Sequence, residues 1–121
     1  MRERRLLKNG RCQAVRVMAC ESWLERARGL LFRRALDRRA ILKIGPCSAV
    51  HTAGMRESID VVFTSHDGLV LRCVQGLHPW RIAACRQAHI AWEMRAGLCR
   101  ALAIQPGDSL ADAPQVNADT A

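Results

Sequence analysis

Residues 51–60 read H-T-A-G-M-R-E-S-I-D, which puts His51, Arg56 and Asp60 within one short stretch. A histidine paired with an aspartate can serve as a base and its orienter, and an arginine can hold an anion. Extended chain would place Arg56 and Asp60 on one face but roughly 13 Å apart, too far to pair directly. Neither a G-x-S-x-G elbow nor a glycine-rich phosphate loop accompanies them. The same residues also have a plain structural use. His51 and Thr52 can bond a turn, Asp60 can satisfy backbone amides, and Arg56 can brace a loop. A ligand site at this point would draw on Cys47, His51, Thr52, Met55, Arg56 and Asp60. Glu93 would either join it or pair with an arginine on a neighbouring strand.

Two further pairs have ligand spacing. Cys47-x3-His51 and Cys85-x3-His89 together form the inventory of a tetrahedral zinc site. That spacing suits a helix, where positions i and i+4 share a face. Here the first pair reads as loop and the second as the entry to a strand. Buried thiols beside surface imidazoles are the expectation, with no metal or other cofactor. Trp80 and Trp92 could line a pocket; the reading preferred is that both anchor the core.

The elements that must position these residues are mostly strands. Residues 12–19 alternate, with Val15, Val17 and Ala19 on one face. Ser22-x-x-Glu25 is a capping box, followed by Trp23, Ala27, Leu30 and Leu31 as an apolar stripe, so a helix is expected from Ser22. Residues 40–44 form a short strand stopped by Gly45-Pro46. Residues 59–64 form a strand apolar on both faces. Asp67-Gly68 signals a hairpin into the strand at 69–75. Residues 88–94 alternate, with Trp92 and Met94 opposite His89 and Glu93, and 98–104 read as a short helix before Pro106-Gly107. The expected fold is a single mainly β domain over residues 1–110. It is an antiparallel sandwich or barrel with a short N-terminal helix and a second short helix near the C-terminus. Residues 111–121 are small and polar and are expected to be a disordered tail.

A chain of 121 residues, half of them apolar, supports one core. Its net charge of +8 is uneven: residues 1–39 hold 12 Lys+Arg against 4 Asp+Glu, and the remainder hold 7 of each. A basic end can attract nucleic acid, anionic lipid or an acidic protein. No stacking aromatics or nucleic-acid motif accompany it, so nucleic acid is not the expected partner. The six cysteines come without a secretory signal, and no run approaches the roughly 20 apolar residues of a membrane span. A cytoplasmic protein with reduced thiols is expected, with Cys12, Cys73 and Cys99 in the core.

The order R-G-L-L-F-R, P-C-S-A-V-H-T-A-G-M-R-E-S-I-D-V-V-F, D-G, P-W, W-E-M-R-A-G, P-G-D resembles the bacterial and archaeal family called domain of unknown function 192, from about residue 12 to 110. The resemblance implies a compact, mostly antiparallel β fold with a short helix near the N-terminus, and no established activity. This chain departs from the family pattern at Glu57-Ser58, where an aromatic-Pro pair is usual, at Ser65 in place of Asp, and at Arg95 in place of Pro. Taken with the residues, the expected function is a non-catalytic binding or accessory module with a site around H-T-x-x-M-R-x-x-I-D. Its partner would be a small polar or anionic ligand or a protein segment. The alternatives are a small hydrolase using His51 and Asp60, and an electrostatic adaptor working through the basic first third.

Overall fold

The computed structural model describes residues 3–21, 33, 35 and 39–114. Nine strands follow one another in these residues: β1 (Glu3–Lys8), β2 (Arg11–Glu21), β3 (Ala40–Gly45), β4 (Ala49–His51), β5 (Ile59–Thr64), β6 (Val70–Leu77), β7 (Ile82–Ala84), β8 (Ile90–Arg95) and β9 (Leu110–Pro114). One helix, α1 (Leu98–Ala101), lies between β8 and β9. The helix expected from Ser22 lies outside the described residues, apart from Arg33 and Ala35, which are helical. Among the described residues α1 is therefore the only complete helix.

Seven strands form one sheet in the order β6-β5-β8-β3-β2-β1-β9, and β4 and β7 form a separate two-stranded ribbon. The all-antiparallel expectation fails at one place: β2 and β3 run parallel, from Arg16 opposite Ala40 to Glu21 opposite Gly45. A parallel pair needs a crossover of a dozen or more residues, and residues 22–39 supply it. The sheet is mixed and open, neither the sandwich nor the closed barrel expected. Its edges touch at one end, through the bridge Leu69–Ser109.

Strand alternation divides the core in two. Ile59, Val61 and Phe63 of β5 join Leu42, Ile44, Ala91, Val50 and Ala83 in a first cluster. Val62 joins Trp92, Met94, Ile41, Val17, Leu6, Val70 and Leu110 in a second. All seven strands contribute to the second cluster, so the sheet curls around it, and Leu98, Cys99 and Ile104 close one end. Trp92 is 1% exposed, and its indole N–H donates to Thr64 Oγ1 at 3.0 Å, the partner a buried indole requires. Lys43 Nζ lies 5.2 Å from the centre of the Trp92 ring.

β1 is a strand that alternation in the sequence does not announce. Only Leu6 in it is buried, too little alternation to reveal a strand. β9 carries the chain past the expected boundary at 110, as far as Pro114. Asp112 in β9 takes the Lys43 ammonium at 2.6 Å and the Arg4 guanidinium. Burial pushes its carboxyl up, but the two cations outweigh this and hold it below the usual carboxylate range. The Asp108 carboxyl is lowered as well, by hydrogen bonds from the Asn9 side chain and the Gln105 amide.

The meeting of the sheet edges constrains Gly68. Its φ is +90°, and a Cβ there would lie 2.1 Å from the Leu110 carbonyl oxygen, while the Leu110 amide donates to the Gly68 carbonyl at 2.8 Å. Gly68→Ala is expected to cost at least about 2 kcal/mol, read as a lower urea midpoint. A smaller loss would mean that the edges part easily.

Acid provides a second check. A carboxylate whose pKa is lowered on folding contributes stability that is complete above its unfolded value and is lost as the pH falls through the folded one. Stability should therefore drop below about pH 4, and Asp112→Asn should flatten that drop when midpoints are compared between neutral and acid pH. An unchanged acid limb in the variant would show that the β1–β9 seam does not control it.

Candidate functional site

The ribbon pairs Ala49 with Ala84, Val50 with Ala83 and His51 with Ile82. Val50 and Ala83 are buried in the first cluster, and the other four residues are exposed. One side of the ribbon therefore covers the sheet, and the other presents His51 opposite Ile82 to solvent.

Thr52, fully buried, fastens the chain after β4 to the turn before β7. Its amide donates to the Arg81 carbonyl at 2.9 Å, and its carbonyl accepts from the Met55 and Trp80 amides, each at 3.1 Å. Its hydroxyl donates to the His78 carbonyl at 2.6 Å and accepts the Arg81 amide at 2.8 Å. Trp80 is held between these bonds with φ +62°. A bulky residue in that region costs about 1–3 kcal/mol and persists only where its surroundings enforce it. The indole is not core, contrary to expectation: Trp80 is 69% exposed and Ile82 76%. The sequence signal available was Pro79-Trp80, which marks a turn and says nothing of where the ring points.

Asp60 lies on the other face of the sheet and is 1% exposed. Its Oδ1 accepts the Gly76 amide at 2.9 Å. Its Oδ2 accepts the Gly97 amide at 2.9 Å and the Cys99 amide at 3.1 Å. β6 bulges at this level: Ile59 faces Leu77 and Val61 faces Val74, which leaves Gln75 and Gly76 opposite Asp60. The same carboxylate caps α1, whose own cap residue is Gly97 and offers no side chain. Asp60 and the ribbon are thus separated by the sheet, so the His51–Asp60 dyad of the hydrolase alternative does not form, and Asp60 satisfies backbone amides as its plain structural use would have it. Arg56 is exposed, with no hydrogen bond or ion pair to the described residues. Met55 is half-buried against the first cluster. Glu93 is fully buried between its neighbours Leu42 and Val61 and does not reach the outer face of the ribbon.

The zinc set is not assembled either. Cys47 and Cys85 pack at the margin of the first cluster, and the Cys47 thiol donates to the Ala49 carbonyl at 3.1 Å. His89 is exposed and stands edge-on to His66, with centroids 5.1 Å apart. No three ligating side chains converge among the described residues. Burial pushes the Cys99 thiol up to about 12, with Cys73 beside it adding to the rise; such a thiol is a core residue and no nucleophile. Cys12, expected in the core, is exposed. Part of the basic first third is already engaged. Arg4 bonds Asp112, Arg16 bonds Glu3 at 3.0 Å, and Lys8 donates to the Leu102 carbonyl at 2.9 Å.

A family model for domain of unknown function 192, described as "uncharacterized ACR", matches residues 4–111. The chain belongs to this family. Membership supplies no activity, and a comparison with curated proteins finds no match. Two solved structures are similar. One is a "putative transcription regulator" from Sinorhizobium meliloti 1021, with a TM-score of 0.76 and 20% identity over 92% of this chain and 94% of that one. The other is a protein of unknown function from Novosphingobium aromaticivorans DSM 12444, with a TM-score of 0.71 and 19% identity over 90% of this chain and 83% of that one. At such identities the likeness is one of fold. The family's usual Asp falls at Ser65, whose hydroxyl accepts the Leu69 amide at 3.1 Å inside the β5–β6 turn. This position serves the turn and not the ribbon.

These geometries separate the residues of the motif by what each would cost. Asp60→Ala strands three buried amides and should lower stability by about 3 kcal/mol or more. Arg56→Ala should stay within about 0.5 kcal/mol. Chemical denaturation of the two variants checks both; comparable losses would contradict the assignment of Asp60 to the frame.

Proposed function

We propose that the protein is a cytoplasmic, non-catalytic binding module that docks a segment of another protein on the outer face of the β4–β7 ribbon. The observation that carries this is Trp80, a bulky residue held at positive φ with its indole in solvent. The conformation and the exposure both cost free energy, and a buried threonine directs its hydrogen bonds to maintaining them. Tryptophan is among the side chains that most often dominate binding interfaces. Ile82 and His51 extend the patch, and Arg56 and Arg81 add positive charge beside it. The segment that fits this chemistry carries an apolar side chain flanked by carboxylates. The engagement of Thr52 and Asp60 with backbone supports binding over hydrolysis. The name given to the Sinorhizobium protein raises nucleic acid as another partner. In this chain the internal pairing of Arg4, Lys8 and Arg16 supports a protein instead.

The test uses short synthetic peptides with a Leu-Phe core flanked by aspartates, by lysines, or by neither. Binding is followed by NMR in the full chain, on the Trp80 indole signal and on the backbone amides of β4 and β7, the amides serving also for the variant that lacks the indole. The acidic peptide should move these signals most, and Trp80→Gly should weaken binding at least about tenfold. Because glycine accepts positive φ, the same variant should keep or gain stability, by up to about 1 kcal/mol. Binding undiminished in Trp80→Gly, or a loss of stability like that of a core substitution, would overturn the proposal.

A further inference from the structure

A second site lies away from the ribbon, where β8 ends, β3 begins and β2 passes alongside. A pocket of about 150 Å³ opens there, lined by Ala14 and Val15 of β2, Arg39 and Ala40 at the start of β3, Arg95 at the end of β8, and Leu98 of α1. The register explains the gathering. Leu42 faces Glu93 and Ile44 faces Ala91, so continuing the same ladder brings Ala40 level with Arg95. The two arginines therefore flank one strand end, with alanine, valine and leucine carbon between them.

Arg95 is laddered to Ile59 through its backbone, but neither its guanidinium nor that of Arg39 has a hydrogen bond or ion pair to the described residues. Both side chains are exposed. Two like charges on one small pocket repel each other, and an anion between them removes that repulsion. Guanidinium groups offer paired N–H donors that match the two oxygens of a carboxylate. Arg39 also has φ +54°, a conformation uncommon outside glycine, asparagine and aspartate.

We infer that this pocket binds a small organic carboxylate, its charge between Arg39 and Arg95 and its apolar body on Ala14, Val15, Ala40 and Leu98. The volume sets the size, since an apolar cavity of about 150 Å³ accepts a single benzene ring. The apolar lining sets the class: an inorganic anion would use the arginines and leave the carbon surface bare. The site is independent of the ribbon and does not rest on the reading given to it.

Benzoate is the probe, titrated into the full-length protein at constant ionic strength and followed by amide NMR. Benzamide, of the same shape without charge, and inorganic phosphate, with charge but no ring, are the controls. Saturable binding of benzoate in the millimolar range is expected, with shifts confined to β2 around Ala14 and Val15, the start of β3, the end of β8 and the start of α1. Benzamide and phosphate should each bind at least about tenfold more weakly, a difference of about 1.4 kcal/mol. Arg95→Gln and Arg39→Gly should each weaken benzoate about tenfold, the glycine keeping the left-handed backbone while removing the guanidinium. Ala14→Leu, which fills the pocket and leaves both charges, should weaken benzoate and spare phosphate. Equal binding of benzamide or phosphate, benzoate binding unaffected by the two arginine variants, or shifts reproduced by sodium chloride would each overturn the inference.

Discussion

The Asp60 carboxylate is the interaction on which the rest of the frame depends. From the second position of β5 it accepts amides from the β6 bulge and from both sides of the entry to α1. Each of those amides lies where the chain leaves regular pairing, and so each lacks a ladder partner. A buried donor without an acceptor costs about 1–3 kcal/mol. One carboxylate that satisfies three of them fixes the bulge and the helix at the same time. The bulge bends β6 in step with the curl of the sheet, and α1 closes the end of the core inside that curl.

Thr52 performs a comparable task on the other side of the sheet, and the difference between the two explains the division of labour within one motif. Asp60 ties elements that would otherwise separate, and its surroundings are dry. Thr52 ties a surface turn whose product is the exposed Trp80. H-T-x-x-M-R-x-x-I-D thus spans two structural jobs on opposite faces. Its closeness in sequence suggests one catalytic cluster, yet alternation along β5 sends Asp60 toward α1 while Ile59 and Val61 face the ribbon side. A change of one residue in strand position exchanges faces, so contiguity in sequence says little about convergence in a sheet.

Where the chain has a strong period or a strong turn, the sequence is legible. β5 was expected at 59–64 and is found there, and the Asp67-Gly68 hairpin joins it to β6. Trp92 and Met94 fall together on one face of β8 and Glu93 on the other, as the alternation indicated. The elements that escaped are short or one-sided. β4 and β7 have three residues each, and β1 buries only Leu6 beneath charged neighbours. The parallel β2–β3 pair was missed because direction is a property of the connection and leaves no mark on the strands themselves. Cys12 and Trp80 were assigned to the core by residue type, and type alone does not record which way a side chain leaves the backbone.

Backbone outliers sort the surface further. Among the described residues four that are not glycine have positive φ: Asn9, Arg39, Trp80 and Ala103. Asn9 tolerates the conformation by type, and its side chain bonds Asp108 and the Ser109 amide. Ala103 follows the end of α1, with Ile104 donating back to the Cys99 carbonyl at 3.0 Å, the hydrogen-bonded reversal that ends many helices. Local structure accounts for both. Trp80 and Arg39 are not residue types that tolerate the conformation, and Trp80 is held in it by Thr52. One leaves an indole in solvent and the other leaves a guanidinium without a partner among the described residues. Sequences that specify their fold are consistent from level to level and break the local rules chiefly where function requires it. In this protein the two breaks fall on two separate surfaces, the outer face of the β4–β7 ribbon and the pocket at the start of β3. Between them, Asp60 and Thr52 are each bound to the backbone on opposite sides of the sheet, so the motif they share is divided between two faces by the strand that carries its end.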